Sequence, residues 1–246
     1  MSRLADKVVI VTGGTRGMGE AIARACVAEG ARVVIGGRDG AAGRSIAASL
    51  DDHAIYMPMD VADERDWERV VSGTLERFGA ITSLVNNAGR PELSAIENIS
   101  ADTAEAVFRV NQLGPLLGMK HVVGPMRAAG GGSIINIGSV SFVKAIPQQA
   151  VYGATKGAIV GMSRSASAEL APDNIRVNVI HPGFFDTKLL HDASGGHGLE
   201  MGAQMVPLGR TAATREIVGA ALYLLSDESS YVTGAELRVD GGFGIS

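Results

Sequence analysis

The sequence has little cysteine, few aromatic residues and no excess of positive charge. Its single cysteine, Cys26, cannot form an internal disulfide, so nothing indicates an oxidising compartment. Cys26 continues the apolar helical pattern of Ile22 and Ala25, which favours a buried packing role over a nucleophile. Aromatic residues make up 4% of the chain and the net charge is −4, values that argue against a nucleic-acid-binding surface.

A long hydrophobic run is also missing. The N-terminal stretch MSRLADKVVIVTGG contains one short apolar run, too short for a membrane span and without a signal-peptide cleavage pattern. We therefore expect a cytoplasmic protein with no membrane partner. The composition, 46% hydrophobic and 20% charged, is typical of a globular chain, and 246 residues suit one large α/β domain or two small ones.

Short β-branched runs alternate with longer helical patterns along the chain. The predicted strands cover residues 7–11, 32–36, 54–58, 83–87, 133–138, 175–180 and 236–240. Examples of predicted helices cover residues 18–29, 63–78, 112–129, 150–171 and 215–225. Several strands are apolar at consecutive positions, as expected when both faces are covered, so the alternation predicts βαβ units and a parallel sheet.

No linker rich in Pro, Gly or Ser divides the chain, which predicts one domain over residues 1–246. The segment LLHDASGGHGLEMGAQM (189–205) interrupts the alternation with four glycines and only a weak helical pattern. Such a segment is often a lid over a site, here covering about residues 188–208, and it is equally compatible with a plain surface excursion.

A glycine-rich turn follows the first predicted strand in VVIVTGGTRGMG (8–19), and a helical pattern begins directly after it. Glycine permits a tight turn close to a ligand, and the next helix points free N–H groups at an anion. The spacing of Gly13, Gly17 and Gly19 differs from the common G-x-G-x-x-G fingerprint. Its position between strand and helix nevertheless predicts a dinucleotide pyrophosphate site.

The end of the second strand, VVIGGRDG, bears on the choice between NAD and NADP. Gly36 and Gly37 offer no carboxylate for a ribose hydroxyl, whereas Arg38 and Arg16 suit a 2′-phosphate. Asp39 leaves the choice open, because it would pair with Arg38 or bind a ribose. The pattern favours NADP(H), with NAD(H) as the alternative.

Tyr152 and Lys156 stand four positions apart in VYGATKGAIV, about one helical turn. In one interpretation Tyr152 packs in the core and Lys156 extends to water. In the other, Lys156 lowers the pKa of the phenol and makes it a proton donor and acceptor near neutral pH. The spacing alone decides nothing.

Further motifs stand at strand ends, where open α/β sheets bind ligands. They are Asp60-Val61, the NNAG sequence at 86–89, Ser139 in NIGSVS, and PGFFDT at 182–187. Together with TGGTRGMG, YGATK and YVTGAELRVDGG, they make essentially the whole chain resemble the short-chain dehydrogenases/reductases. Within that family it is similar to bacterial oxoacyl-carrier-protein reductases and bacterial hydroxysteroid dehydrogenases.

The resemblance implies a Rossmann fold, with a doubly wound, seven-stranded parallel sheet and helices on both faces. It also implies a general acid and base at Tyr152, and a lysine at Lys156 that holds ribose hydroxyls and lowers the phenol pKa. Ser139, preferred over nearby Ser141, would bind the substrate oxygen. Asn111 would kink a helix and support a water relay to the lysine.

The resemblance implies cofactor contacts and no metal. The expected contacts are Gly13, Thr15, Arg16, Gly17, Met18, Gly19, Arg38, Asp60, Val61, Asn87, Ala88, Gly89, Tyr152, Lys156, Pro182, Gly183, Phe185 and Thr187.

The predicted function is a reversible NADPH-dependent carbonyl reductase. An apolar set favours a bulky hydrophobic ketone, although it also suits ordinary packing: Val140, Phe142, Val143, Ile146, Phe184, Leu189, Leu190 and Met205. The alternative substrate, an oxoacyl thioester on acyl carrier protein, requires a basic docking patch, for which the candidates are Arg109, Lys120, Arg127 and Lys144. A cofactor-binding redox sensor without turnover is the alternative from another class. Oligomers are common in the family, so we expect a homotetramer.

Overall fold

Seven strands form one parallel sheet in the computed structural model, which describes residues 2–193 and 195–245. The strands are β1 (Val8–Thr12), β2 (Arg32–Gly37), β3 (Ala54–Pro58), β4 (Ser83–Asn86), β5 (Gly132–Ile137), β6 (Ile175–Pro182) and β7 (Glu236–Val239). Their order across the sheet is β3-β2-β1-β4-β5-β6-β7, and every pairing is parallel. The predicted doubly wound α/β fold is confirmed.

Helices connect the strands. Within the described residues they are α1 (Gly17–Ala28), α2 (Gly40–Ala48), α3 (Glu64–Phe78), α4 (Ala101–Phe108), α5 (Gly114–Ala128), α6 (Val140–Val143), α7 (Ala150–Leu170), α8 (Lys188–Ala193), α9 (Gly198–Met205) and α10 (Val218–Leu225). A π-helical turn, Arg109–Leu113, joins α4 to α5 and explains why α5 begins two residues after the start of the predicted helix 112–129. Short 3₁₀ turns occupy Asp51–His53, Ile96–Asn98, Ala171–Asp173, Thr214–Ile217, Asp227–Ser229 and Phe243–Ile245.

The two faces of the sheet bury separate apolar cores. Side chains of a strand alternate between faces, so Val9 and Val11 join the core that contains Cys26 of α1, whereas Ile10 joins the core that contains Trp67 of α3. This double coverage explains the consecutive apolar positions in the strands. Cys26 is fully buried, and burial raises the pKa of its thiol to about 12.

The carboxyl ends of the strands meet at one edge of the sheet. The chain leaves β1 toward β2 and later returns to β4 on the other side of β1, which opens a crevice between the two connections. Helices α8 and α9 form from the segment that interrupts the strand–helix alternation, and they follow β6 at this same edge. No described helix is both long and apolar enough to cross a membrane.

Candidate active site

A cavity of about 350 Å³ lies in this crevice and collects most of the predicted site residues. Of the expected catalytic and cofactor-contacting residues, all but Gly19 and Asn111 line it. The cavity has further lining residues that the predicted set does not contain: Gly37, Asp39, Met59, Val110, Ile137, Gly138, Lys188 and Leu189. Most of these are immediate neighbours of predicted residues, so their position at strand ends is the sequence signal by which they could have been predicted.

The glycine-rich turn has the geometry of an anion site. Gly13 and Gly17 have positive φ angles of 62° and 59°, and a Cβ on Gly13 would lie 2.9 Å from Ala88 Cα. Helix α1 begins at Gly17, and no described side chain caps its first turn, so its N–H groups remain available. Gly19 does not line the cavity. It lets α1 pack closely against the turn, because a Cβ there would lie 2.3 Å from the Gly13 carbonyl oxygen.

One end of the cavity carries two exposed arginines. Arg16 and Arg38 both line it, and neither guanidinium bonds to another described residue. Asp39 does not pair with Arg38. Its carboxylate instead accepts a hydrogen bond from the Ala42 amide (3.1 Å) and caps α2. At Gly37 a Cβ would lie 2.8 Å from Thr15 Cγ2, so the wall is tight at that point.

Asn87 locks the loop after β4 onto the loop after β1. Its side-chain amide donates to the carbonyl oxygens of Thr12 (3.0 Å) and Gly13 (3.1 Å). The Thr12 hydroxyl oxygen in turn accepts from the amides of Asn87 (3.0 Å) and Ala88 (3.1 Å). The Asn87 side chain therefore fixes the shape of the crevice.

The opposite end of the cavity contains the predicted catalytic side chains. Ser139 caps α6, its hydroxyl oxygen accepting from the Ser141 amide (3.1 Å), and its side chain is hydrogen-bonded to Tyr152. Lys156 lies one turn after Tyr152 on α7, with Nζ 5.5 Å from the centre of the phenol ring. Ser139 lines the cavity whereas Ser141 does not, which agrees with the choice made from sequence.

Burial shapes the ionisation of this pair. It raises the pKa of the Tyr152 phenol, and the hydrogen bond with Ser139 opposes that rise in part. It lowers the pKa of Lys156 to about 8. Lys156 is 4% exposed and donates to the Ile137 carbonyl oxygen at 2.8 Å, so it does not extend to water.

The Lys156 ammonium donates to the Ile137 carbonyl oxygen. Burial is the largest cause acting on the Tyr152 phenol and raises its pKa, so the expected lowering of that pKa by Lys156 stays a prediction. At neutral pH the phenol therefore keeps its proton and Lys156 is mainly charged.

Asn111 lies behind the cavity in the π-helical turn and is 1% exposed. Its Oδ1 accepts from the Arg90 amide (2.7 Å), and its Nδ2 donates to the Arg90 carbonyl (2.9 Å) and to Thr155 Oγ1 (3.2 Å). Thr155 in turn donates to the Tyr152 carbonyl (2.7 Å). Asn111 thus connects the loop after β4 to the helix that carries Tyr152 and Lys156.

The apolar residues near the catalytic end fall into two groups. Val140 is buried with Val206 and Phe243, and Phe184 packs against this cluster. These side chains therefore support the site through ordinary packing. Leu189 of α8 lines the cavity and is 39% exposed, as expected of a contact surface for an apolar ligand.

The fold and the cavity define a dinucleotide-binding protein with a Ser–Tyr–Lys cluster, and comparison with known proteins specifies the family. A family model described as enoyl-(acyl carrier protein) reductase matches residues 13–244. The chain is 39% identical to trans-4-hydroxycyclohexanecarboxylate dehydrogenase of Sinomonas cyclohexanicum, over 98% of this chain and 93% of that protein. It is 42% identical to 3-alpha-(or 20-beta)-hydroxysteroid dehydrogenase of Mycobacterium bovis, over 98% of this chain and 90% of the relative.

A third relative bears on the cofactor. The NADP-dependent (R)-specific alcohol dehydrogenase of Lentilactobacillus kefiri is 38% identical over 98% of both chains. The chain belongs to the short-chain dehydrogenase/reductase family, as its motifs predicted. The predicted enzyme class, an NAD(P)-dependent oxidoreductase acting on CH–OH groups, is likewise confirmed.

Proposed function

We propose that the protein is an NADP(H)-dependent carbonyl reductase that reversibly interconverts hydrophobic ketones and secondary alcohols. The observation that carries the proposal is the arrangement of one cavity. Two arginines that have no ion pair within the described part of the chain line one end of it, and the hydrogen-bonded Ser139 and Tyr152 lie with Lys156 at the other. A cofactor spanning the cavity would place its two functional ends at these two clusters.

The residues present fit a bound NADP(H). The open N-terminus of α1 and the glycine turn would hold the pyrophosphate, and Arg16 with Arg38 would hold the 2′-phosphate. Asp39 also lines the cavity, and its carboxylate is partly engaged as the N-cap of α2, because Oδ1 accepts from the Ala42 amide. The bound cofactor supplies or accepts the hydride.

The chain's own residues supply the proton and the orientation. Tyr152 donates its phenolic proton to the ketone oxygen during reduction, and burial keeps that proton in place at neutral pH by raising the phenol pKa. Ser139 donates a hydrogen bond to the same oxygen and stabilises its developing charge. Lys156 holds ribose hydroxyls with its ammonium, and Asn111 positions α7 from behind.

Two features favour a free hydrophobic ketone over a thioester carried on a protein. Leu189 offers an exposed apolar surface at the cavity, and the relatives are named for cyclic, steroid and other alcohols. Three of the four candidate docking cations are engaged elsewhere: Lys120 pairs with Glu64 and Arg127 with Asp173 (2.7 Å). Arg109 donates to the Ala62 carbonyl at 3.1 Å.

The test compares NADPH and NADH consumption by the purified protein on two substrates, a bulky aryl or steroid ketone and an acetoacetyl thioester. We expect faster turnover of the ketone and a higher kcat/KM with NADPH, by at least about 10-fold, since each charge-assisted hydrogen bond contributes about 1.5–3 kcal/mol. Faster turnover of the thioester would favour the acyl-carrier-protein alternative. Tight NADPH binding without turnover on a wide panel of ketones would indicate a redox sensor.

We further propose one domain over residues 1–246, with α8 and α9 as the substrate lid and a homotetramer as the working assembly. The lid proposal is supported by Lys188 and Leu189, which line the cavity from α8. Exposed apolar side chains on α4 and α5, Phe108 and Leu116, support a subunit interface there. Light scattering of the purified protein tests the assembly, and a monomer would contradict it.

A further inference from the structure

A fully buried histidine lies directly behind Ser139. His181, the penultimate residue of β6, is 0% exposed, and its Nδ1 lies 3.2 Å from the Ser139 amide nitrogen and 3.0 Å from the Ser139 carbonyl oxygen. The packing is tight, because a Cβ on Gly138 would lie 2.5 Å from His181 Nδ1. The ring therefore contacts the backbone that carries the serine hydroxyl and does not touch the hydroxyl itself.

Glu236 of β7 orients this ring through Nε2. Its Oε2 lies 3.1 Å from His181 Nε2, and an ionised carboxylate can only accept, so Nε2 carries a hydrogen. On the other side, an unprotonated Nδ1 accepts from the Ser139 amide and a protonated Nδ1 donates to the Ser139 carbonyl oxygen, so in either form the ring holds the Ser139 backbone. Without His181 that buried N–H would lose its partner, because Ser139 is the N-cap of α6 and its amide is not bonded within the helix.

The chain of contacts returns to the helix of the other catalytic residues. Arg164 of α7 donates to Glu236 Oε1 at 2.6 Å, so a continuous path runs from Arg164 through Glu236 and His181 to the Ser139 backbone. Tyr152 and Lys156 lie on the same α7. Side chains on β6 and β7 therefore link the Ser139 backbone to the helix that carries Tyr152.

We propose that His181, oriented by Glu236, is a positioning residue that holds the Ser139 hydroxyl against the Tyr152 phenol. This inference rests on the proposed function, in which those two side chains bind the reacting oxygen. A displacement of about 1 Å in such a pair reduces rates by as much as about 100-fold.

A double-mutant cycle tests whether His181 acts through the serine. The four proteins are wild type, His181→Leu, Ser139→Ala and the double variant, each assayed for ketone reduction with NADPH. We expect His181→Leu to lower kcat by about 10- to 100-fold with the dissociation constant of NADPH unchanged. In the Ser139→Ala background the same change should lower kcat by less than about 2-fold, because the hydroxyl to be positioned is gone.

A second substitution at His181 distinguishes a positioning role from one of filling space in the core. His181→Asn has nearly the shape of His181→Leu, yet its side-chain amide can accept from the Ser139 N–H or donate to the Ser139 carbonyl oxygen, the two groups that Nδ1 contacts. We expect His181→Asn to recover kcat to within about 5-fold of wild type. If both variants bind NADPH and Asn is no better than Leu, the proposal is overturned.

Glu236→Leu keeps the test decisive if His181→Leu does not fold. Glu236 is partly exposed, and its loss removes the acceptor that orients the ring through Nε2. We expect a severalfold loss of kcat that disappears in the Ser139→Ala background. The matched control is a second pair with the same 3.1 Å separation, His121 and Glu64, which lies outside the cavity. Neither His121→Leu nor Glu64→Leu should change kcat by more than about 2-fold.

The outcomes distinguish this inference from the proposed function. Equal losses from His181→Leu with and without the serine hydroxyl would overturn the positioning role alone. Full activity of Ser139→Ala would contradict the role of Ser139 in the proposed function, and the inference would fail with it.

Discussion

The two ends of the cavity carry positive charge in opposite ways. At one end Arg16 and Arg38 are exposed and make no ion pair or hydrogen bond with described residues. At the other, Lys156 is 4% exposed, is hydrogen-bonded to the Ile137 carbonyl and has a pKa lowered to about 8. An exposed cation is solvated by water, costs the fold little stability and is available to bind an anionic ligand. A buried cation destabilises the fold, and its presence indicates a functional role.

The difference predicts where a substitution separates binding from chemistry. Removal of a group at the arginine end should change the affinity for the cofactor and its preference for a 2′-phosphate. Removal of the Ser139 or Tyr152 hydroxyl at the buried end should change the rate of turnover while leaving cofactor affinity largely intact. The predictions below test this division, beginning with the largest expected effect.

Tyr152→Phe should reduce kcat by about 10³-fold or more, because the substitution removes the proposed proton donor while keeping the ring in its buried place. NADPH binding, measured by fluorescence titration, should stay within about 2-fold of wild type. Tyr231→Phe is the matched control, since Tyr231 is fully exposed and does not line the cavity. Near-full activity of Tyr152→Phe would show that another group donates the proton.

At the arginine end, the double variant Arg16→Ala, Arg38→Ala should lower kcat/KM for NADPH by at least about 100-fold and leave the value for NADH almost unchanged. The reason is the loss of two charge-assisted contacts to the 2′-phosphate, each contributing about 1.5–3 kcal/mol. Arg24→Ala is the control, because Arg24 pairs with Glu20 (2.9 Å) outside the cavity. An equal loss for both cofactors would mean that the arginines serve the fold and not the phosphate.

The strands of this protein were predictable because their chemistry is local. Consecutive β-branched residues such as those of β1 are buried on both faces, and each predicted strand agrees with the observed one to within two residues at either end. The cavity followed from the same reasoning, since parallel strands bring their carboxyl ends to one edge. The π-helical turn at Arg109–Leu113 had one signal, the family resemblance that implied a helix kink at Asn111, whereas helical periodicity gives no sign of the extra residue.

What sequence reasoning missed depends on contacts between distant segments. His181 and Glu236 are 55 residues apart and meet only because β6 and β7 pair in a register that places Glu236 opposite Val179. The ionisation of Lys156 likewise depends on burial under several elements, which spacing to Tyr152 does not encode. Pattern therefore located the side chains of the site, whereas protonation required the packed structure.

The smallest expected effect concerns stability at the buried end. Lys156 has a pKa of about 8 in the folded chain, below the ordinary value of 10.5. Between these values the unfolded chain binds more protons than the folded one, so the contribution of Lys156 to the free energy of unfolding rises with pH. Well below pH 8 the buried, protonated Lys156 exerts its full destabilisation of the fold. Between pH 8 and 9 about 1 kcal/mol of that destabilisation is lost as Lys156 gives up its proton.

Urea denaturation at fixed protein concentration, at pH 8.0 and 9.0, measures this slope. The buried Cys26 thiol, whose pKa is raised from 9.0 to about 12, acts in the opposite direction from about pH 8 upward, so the effect of Lys156 is read as the difference in slope between wild type and Lys156→Met. Lys156→Met should be more stable than wild type at pH 8 and should lose the rise, although it should be inactive. Lys120→Met, which removes an exposed lysine paired with Glu64, should retain the rise. An unchanged slope in Lys156→Met would show that burial of the ammonium does not destabilise the fold. The two ends of the cavity would then differ in position and not in the stability lost by holding a charge.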